Sequence, residues 1–430
     1  MILVRSHLQR LSGSRAIAHL LILMVIVLVS CSPKVRDGKK QTTLEPNKPQ
    51  MLNKSGRSDT TRVPTDNIPK INAKTDVPFA ISLLLALHLD SVSADEMYDL
   101  KRSRETNISL DFYQGLLFAF DSLAKDELRL NLTVFDTKND SNEVKKIFVK
   151  SEVLNSDLII GPIFNDELLP AIQFAKSKQK FVLSPLAPST SSAFNNPYFI
   201  SANAPIELHG KKQAEYIQNT FDAKNVIVIT GKSIAEQRYI SAFESTLKNS
   251  SKKISVGKVG SSNADLQTID LQLKKDEKNI IFIASSSPST LTRVFQKLKY
   301  LTNKYEIVVF AHPLVPKMES LNFELLLPLN VHTTSADYIE DDKLIESLFY
   351  SEYRKKYKTE PSEFAMNGFD LGMLIGKSIS KNGKDISKII NPNPFNGLSG
   401  VIDFQQVEGW GVQNTWLQIV KFRNYKFEAE

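Results

Sequence analysis

Cysteine is almost absent from this chain: Cys31 stands alone among 430 residues. A single thiol forms no internal disulfide, so the fold must rest on its apolar core. Histidine is scarce as well. His7 and His19 fall within the first 30 residues, and His88, His209, His312 and His332 are isolated, without the spacing of a metal site. No metal and no cofactor are expected. The Gly-x-Ser-x-Gly elbow of a hydrolase is missing. Gly231-Lys232-Ser233 and Gly376-Lys377-Ser378 look like phosphate-loop fragments, but Val226 and Leu371 stand where each needs its upstream glycine. No nucleotide site and no enzyme chemistry follow from this chain.

The net charge of +7 is not a nucleic-acid footprint, because of where it sits. Residues 1–30 carry three arginines and no acids, and residues 31–75 carry ten Lys/Arg against four Asp/Glu. What remains is 41 basic against 43 acidic residues, which excludes a basic surface for nucleic acid on the body. The stretch from Ser32 to about Thr75 is rich in Lys, Asn, Thr, Ser and Pro and poor in aromatics. It cannot bury enough apolar surface to fold and reads as a spacer.

Long apolar runs are likewise missing, with one exception. Arg5, Arg10 and Arg15 precede a stretch from Ala16 to Val29 that is apolar except for His19. This is the layout of a secretory signal, too short for a spanning helix. Leu28-Val29-Ser30-Cys31 closes it and resembles the bacterial lipobox. That resemblance implies cleavage before Cys31, lipidation of its thiol (palmitate among the acyl groups) and attachment to membrane lipid through Cys31, with several acyl chains giving stable anchoring. Ser32 in place of Asp points, by the enterobacterial sorting pattern, to the outer membrane facing the periplasm.

From Val77 onward strand and helix patterns alternate. Pro78–His88 is a continuous apolar run, as a strand buried on both faces should be. Helical spacing follows over Ser109–Ala124, then a strand over Arg129–Phe135, a helix over Asn142–Val149, and strands over Asp157–Ile160 and Phe181–Ser184 flanking a helix over Glu167–Ser177. The rhythm restarts with a helix over Ile206–Thr220 and strands over Asn225–Thr230, Lys253–Val259, Asn279–Ala284 and Glu306–Ala311. Helices over Ala235–Lys248, Leu266–Lys274 and Ser289–Leu301 lie between them. The tail carries helical patterns over Lys343–Lys356 and Ser362–Lys381 and strand patterns near Gly400–Gln405 and Thr415–Phe422. The expected fold is α/β, two Rossmann-like doubly wound lobes joined by crossover strands. Residues 77–203 with about 336–395 would form lobe one, and about 204–335 with 396–430 lobe two; 1–30 are the signal and 31–76 the lipidated cysteine and linker.

This order of elements is similar to the type I periplasmic binding proteins, the group that includes the branched-chain amino acid (leucine-binding) proteins of ABC importers. The resemblance is carried by Asp111–Gly115 opening the first helix, by Asp157-Leu158-Ile159-Ile160-Gly161-Pro162, and by Ser184-Pro185-Leu186-Ala187. Pro361 with Asn367-Gly368-Phe369-Asp370 belongs to the same pattern. It implies a cleft lined by strand-end loops: Asn165 and Asp166, Ser184 with Ser189 and Thr190, Ser285 and Ser286, and His312. Asn165 or Asp166, Ser184 and Ser287 could each instead cap a helix without any ligand.

The departures from that family matter. Leu186 and Pro188 occupy the places of a small residue and a threonine in amino-acid binders, and proline offers no backbone donor. No acid stands near Ser285 or Pro313, where the family holds the α-ammonium. The expectation is a membrane-anchored binding lipoprotein of the cell envelope that presents a small polar solute (amino-acid-like, peptide or other) to an ABC importer or sensor. The alternative is a non-transport protein partner in the envelope, similar to penicillin-binding-protein activator lipoproteins that regulate peptidoglycan synthesis.

Overall fold

The computed structural model describes residues 77–90, 100–124, 128–188, 195–249, 252–338, 345, 347–390, 393–407 and 411–430. The chain separates into two units, Met1–Ile71 and Asn72–Glu430, and every described residue lies in the second. Cys31, Ser189 and Thr190, together with the signal and spacer readings, lie outside the described residues.

The first half of the body is built on β1 (Phe79–Leu85), β2 (Leu130–Asp136), β3 (Leu158–Ile160), β4 (Val182–Ser184) and β5 (Phe199–Ser201). Helices α1 (Leu100–Leu123), α2 (Ser141–Ile147), α3 (Ser151–Leu154) and α4 (Leu168–Lys178) connect them. The second half repeats the scheme with α5 (Ile206–Thr220), β6 (Asn225–Ile229), α6 (Ile234–Lys248), β7 (Ser255–Val259), α7 (Asn263–Leu266), β8 (Asn279–Ile283), α8 (Pro288–Leu301), β9 (Ile307–Phe310) and β10 (Val331–Ser335). Helices α9 (Leu348–Tyr357), α10 (Glu363–Asn382) and α11 (Ser387–Ile390) follow. The chain ends in strands β11 (Phe395–Asn396), β12 (Val401–Ile402), β13 (Phe404–Val407), β14 (Gly411–Asn414), β15 (Gln418–Arg423) and β16 (Lys426–Ala429).

Two seven-stranded sheets result, ordered β13-β14-β5-β4-β3-β1-β2 and β16-β15-β10-β9-β8-β6-β7. Their parallel cores have the same order, and each changes winding direction once, between β1 and β3 and between β6 and β8. The apolar run of β1 explains its central place. Phe79, Ile81, Leu83 and Leu85 pack on Phe112, Leu116 and Phe120 of α1 and on Leu371, Leu374 and Ile375 of α10. Leu84 faces the other way, into Val144, Leu168 and Ile172. In the second sheet Ile227, Ile229, Ile281 and Ile283 meet α8 through Leu291, Val294 and Phe295. Val226, Val228, Ile280 and Phe282 meet Ile217, Tyr239 and Phe243 of α5 and α6. Both sheets are covered on both faces, as parallel strands require.

The chain passes between the sheets three times: after β5, after β10, and between β14 and β15. This corrects the expected assignment of 396–430 to lobe two for residues 404–414, while β15 and β16 join the second sheet. The hairpin of β13 and β14 belongs to the first sheet, where Val412 and Gln413 pair in parallel with Ile200 and Ser201. An added strand there covers the edge that β5 would otherwise expose, and all four positions of β14 are buried.

The first helix begins at Leu100, so Asp111–Gly115 lies in its middle rather than opening it. Its first turns, Leu100–Glu105, are largely polar and carry little periodic signal. The helix expected over Leu266–Lys274 is a short α7 followed by a tight turn over Ile269–Leu271. Gly376, read as a possible phosphate-loop glycine, lies inside α10, where a Cβ would press on Leu123 and Leu128 at 2.5 and 3.3 Å. It serves helix packing.

Candidate functional site at the strand ends

At the carboxyl edge of the first sheet, β3 runs into a cis Gly161-Pro162 bond, with Gly161 at φ +100°. A Cβ on Gly161 would lie 2.3 Å from the Leu84 carbonyl, so only glycine fits. Ser184, fully buried, donates its hydroxyl to Ala187 O (2.9 Å) and lies 3.4 Å from Pro162 O. Asn203 donates to Leu186 O at 2.9 Å. Ser184 therefore ties the loops after β3 and β4 to the sheet. Asn165 and Asp166 lie exposed in a short turn, and the Asp166 carbonyl accepts from the Ser141 hydroxyl at 2.5 Å.

Sequence reasoning missed the neighbouring Glu167. It is fully buried, and among the described residues neither carboxyl oxygen has a donor in good hydrogen-bond geometry. Burial raises its pKa to about 7, with Glu105 and Asp136 adding to the rise and the nearby Thr137 hydroxyl offsetting it only in part. Asp136 fills the loop beyond β1, accepting from the backbone N–H groups of Leu87 (2.9 Å), His88 (3.1 Å) and Leu89 (2.8 Å).

In the second lobe Ser286 bonds to Glu236, a residue that sequence reasoning missed, and His312 feels its charge. Glu236, in the first turn of α6, accepts from Lys232 N–H (2.8 Å) and Ser233 N–H (2.9 Å) beyond β6. It also accepts from Ser286 N–H (2.7 Å) and the Ser286 hydroxyl (3.1 Å) beyond β8. Burial alone would raise its pKa. The backbone donors of Ser233, Ser286 and Lys232 and the Ser233 hydroxyl outweigh that and hold it at about 2. Glu236 is thus a carboxylate seated at the β6–β8 switch point, where open α/β sheets receive ligands. The available signal was the Ser233-x-x-Glu236 capping box.

Ser285 accepts from Ser287 N–H at 3.2 Å, a local turn contact. His312 accepts the Leu314 N–H on Nδ1 at 3.2 Å and sets its ring edge-on to Tyr239, 5.4 Å between centroids. Burial lowers its pKa to about 4, and Glu236 opposes part of that fall. Behind it Tyr239 donates to Gln213 Oε1 (2.7 Å), and Gln213 reaches Ala311 O (3.1 Å) and Thr334 Oγ1 (3.3 Å). His209 Nδ1 joins the same Thr334 hydroxyl at 2.8 Å. A buried polar network thus connects the His312 loop to β10, from which the chain leaves the sheet.

A hollow of about 50 Å³ lies among the crossover segments, lined by Leu186, Asn203, Asp337, Asn367, Asp370 and Ser399 among others. It exceeds the roughly 10–15 Å³ that a cavity needs to admit a water. Asp370, read as part of a family motif, is spent on structure: it accepts from Leu398 N–H, Ser399 N–H and the Ser399 hydroxyl at 2.7, 2.7 and 2.5 Å. Among the described residues no hydrogen bond or ion pair joins Asn165, Asp166 or Ser184 to Ser285, Ser286 or His312.

A family model described as the receptor family ligand binding region matches residues 113–409. No curated protein matches the chain in sequence. Solved structures with the same fold include a Rhodospirillum rubrum protein described as a branched-chain amino acid ABC transporter, with a TM-score of 0.65 at 14% identity over 82% of this chain and 100% of that one. A Desulfitobacterium hafniense ABC transporter substrate-binding protein in complex with Leu gives 0.55 at 14% identity over 82% and 99%. A Rhodopseudomonas palustris solute-binding protein in complex with benzoate gives 0.51 at 13% identity over 82% and 95%.

Proposed function

The chain belongs to the receptor family ligand binding region, the type I periplasmic binding protein-like family, and from that membership we propose an extracytoplasmic binding lipoprotein that holds a small polar solute between its lobes. The observation that carries this reading is the matched pair of switch points, β1/β3 and β6/β8, in two sheets of identical core order joined by three crossovers. Ligands in such sheets bind beyond the carboxyl ends of the strands, and pairs of lobes close on them by hinge motion. Lipidation at Cys31 would anchor the protein in the envelope, on the outer membrane facing the periplasm, where it would serve an ABC importer or a sensor. The role is binding, not catalysis.

The solute need not be a zwitterionic amino acid. Backbone donors beyond β1, β6 and β8 are taken by Asp136 and Glu236, and Pro188 offers none. The relatives with bound Leu and bound benzoate span a range of chemistry that the fold can accept.

That same occupancy supports a second reading, in which the fold serves a protein partner of the envelope as penicillin-binding-protein activator lipoproteins do. The full-length protein is screened by thermal unfolding against amino acids, short peptides, sugars, nucleobases, aromatic acids and peptidoglycan fragments. A true solute at one hundred times its Kd adds about 2.7 kcal/mol of stability. A stabilising solute whose effect is lost in Ser286→Trp supports the first reading. No stabilisation, with a single envelope protein recovered by crosslinking in intact cells, supports the second.

A further inference from the structure

We propose that Lys317 is an electrostatic latch between the two lobes, holding their relative angle through Asp337 and Glu363. Lys317 ends the tight turn Val315–Lys317 beyond β9, in the second lobe. Its Nζ donates to Asp337 Oδ2 at 2.7 Å and to Glu363 Oε2 at 2.6 Å. Glu363 is the first residue of α10, which packs on α1 in the first lobe, and Asp337 lies just beyond β10 on the second crossover. One ammonium therefore joins a lobe-two loop, a crossover segment and a lobe-one helix.

Both acids are held ready for it. The Ser335 hydroxyl lies 3.1 Å from Asp337 O and 3.3 Å from the other Asp337 carboxylate oxygen, a local turn that positions the residue beside Lys317. Glu363 lies in the first turn of a 20-residue helix, where the helix dipole favours its charge. The Lys317 pKa is raised, because the two carboxylates outweigh its partial burial. No second cation among the described residues pairs with Glu363 or Asp337. Without Lys317 the two carboxylates would repel each other across the lobe boundary.

The latch is wired to the candidate cleft. Val315 N–H bonds to His312 O at 2.9 Å, and Lys317 N–H bonds to Leu314 O at 3.0 Å. The segment from His312 to Lys317 is thus wound as one unit, and displacement of the His312 loop moves the ammonium. The three-way contact is partly solvent-exposed, with side-chain exposures of 43%, 19% and 36% for Lys317, Asp337 and Glu363. Salt must therefore weaken it, since the screening length falls from about 10 Å at 0.1 M to about 3 Å at 1 M. This inference does not depend on which solute or partner the protein binds.

The test is an interlobe distance distribution by pulsed electron spin resonance on the full-length chain. Cys31→Ala removes the one native thiol, and spin labels go on Lys178→Cys of α4 and Lys248→Cys of α6, both exposed positions on opposite lobes. Lys317→Met is expected to broaden the distribution and shift its mean by several ångström, and Lys317→Arg to restore it. Raising KCl to 1 M should move the parent toward the Met variant and leave that variant unmoved. A Met variant with unchanged circular dichroism and a distribution superimposable on the parent at low salt overturns the proposal. If the Met variant fails to fold, Glu363→Gln decides instead: the same shift supports the latch, and an unshifted distribution overturns it.

Discussion

Ser286 and Glu236, fifty residues apart, bind each other twice, through the Ser286 N–H at 2.7 Å and its hydroxyl at 3.1 Å. The pair clamps the loop beyond β8 to the one beyond β6 and fills with the chain's own carboxylate the nest where a ligand anion could sit.

Removing that carboxylate should be costly. Glu236→Ala strands the Lys232, Ser233 and Ser286 donors in a largely buried site. Charge-assisted hydrogen bonds contribute about 1.5–3 kcal/mol each, less than additively, so a loss of about 3 kcal/mol is expected. Glu236→Gln should lose less, since one amide oxygen remains to accept. Because the folded pKa is depressed to about 2 from 4.5, the Glu236 contribution is complete above pH 4.5 and is lost as pH falls toward 2. Urea unfolding at pH 7 checks the two variants; an unchanged midpoint for Glu236→Ala would refute the clamp.

Three buried histidines should make the body acid-sensitive. Burial depresses His209 to about 3, and His312 and His332 to about 4, from 6.5. The unfolded chain takes up these protons below pH 6.5 while the folded chain refuses them, so stability falls as pH drops from 6.5 toward 4. Each site contributes a slope of at most about 1.4 kcal/mol per pH unit. His332 stacks on Phe310 with ring centroids 5.1 Å apart, so His332→Phe keeps the aromatic packing while removing one titration. Its stability loss between pH 7 and pH 5 should be smaller than the parent's. Parallel losses would contradict the assignment.

Glu167 works with the opposite sign. Its folded pKa of about 7 exceeds the ordinary 4.5, so the stability it lends is present below pH 4.5 and is lost as pH rises through 7. Glu167→Gln mimics the protonated form. Relative to the parent it should gain nothing near pH 4.5 and up to about 3 kcal/mol by pH 8. A stability difference that does not change with pH would show that Glu167 is ionised in the fold.

The proposed anchoring would rest on the Cys31 thiol alone. Cys31→Ala should leave the body folded and move the protein from the membrane fraction to the soluble fraction. A variant that still sediments with salt-washed membranes would disprove lipid attachment at Cys31.

The core was legible because burial on two faces leaves a plain mark: Phe79–Leu85 and Ile280–Ile283 are apolar runs broken only by Ser82, and parallel strands need them. Of the hairpin only β13 overlaps an expected strand, near Gly400–Gln405; β14 at Gly411–Asn414 falls before the next expected strand, Thr415–Phe422, and neither was expected in the first sheet. Phe404-Gln-Gln-Val and Gly411-Val-Gln-Asn do not encode a partner, and their pairing with β5 is fixed by contacts more than 200 residues away in sequence. The site was legible at the level of loops. Ser285, Ser286 and His312 could be named from strand ends, but Glu236 lies on a helix and looked like ordinary capping. Its second role needs Ser286, and no local pattern connects positions 236 and 286.

The most direct test of solute binding is native mass spectrometry of the protein extracted gently from its own cells, without dialysis. The account expects a fraction of the protein to carry one additional small molecule, released on unfolding and absent from Ser286→Trp. A spectrum holding only the polypeptide and its lipid, unchanged after incubation with the solute panel, would contradict a solute-binding cleft.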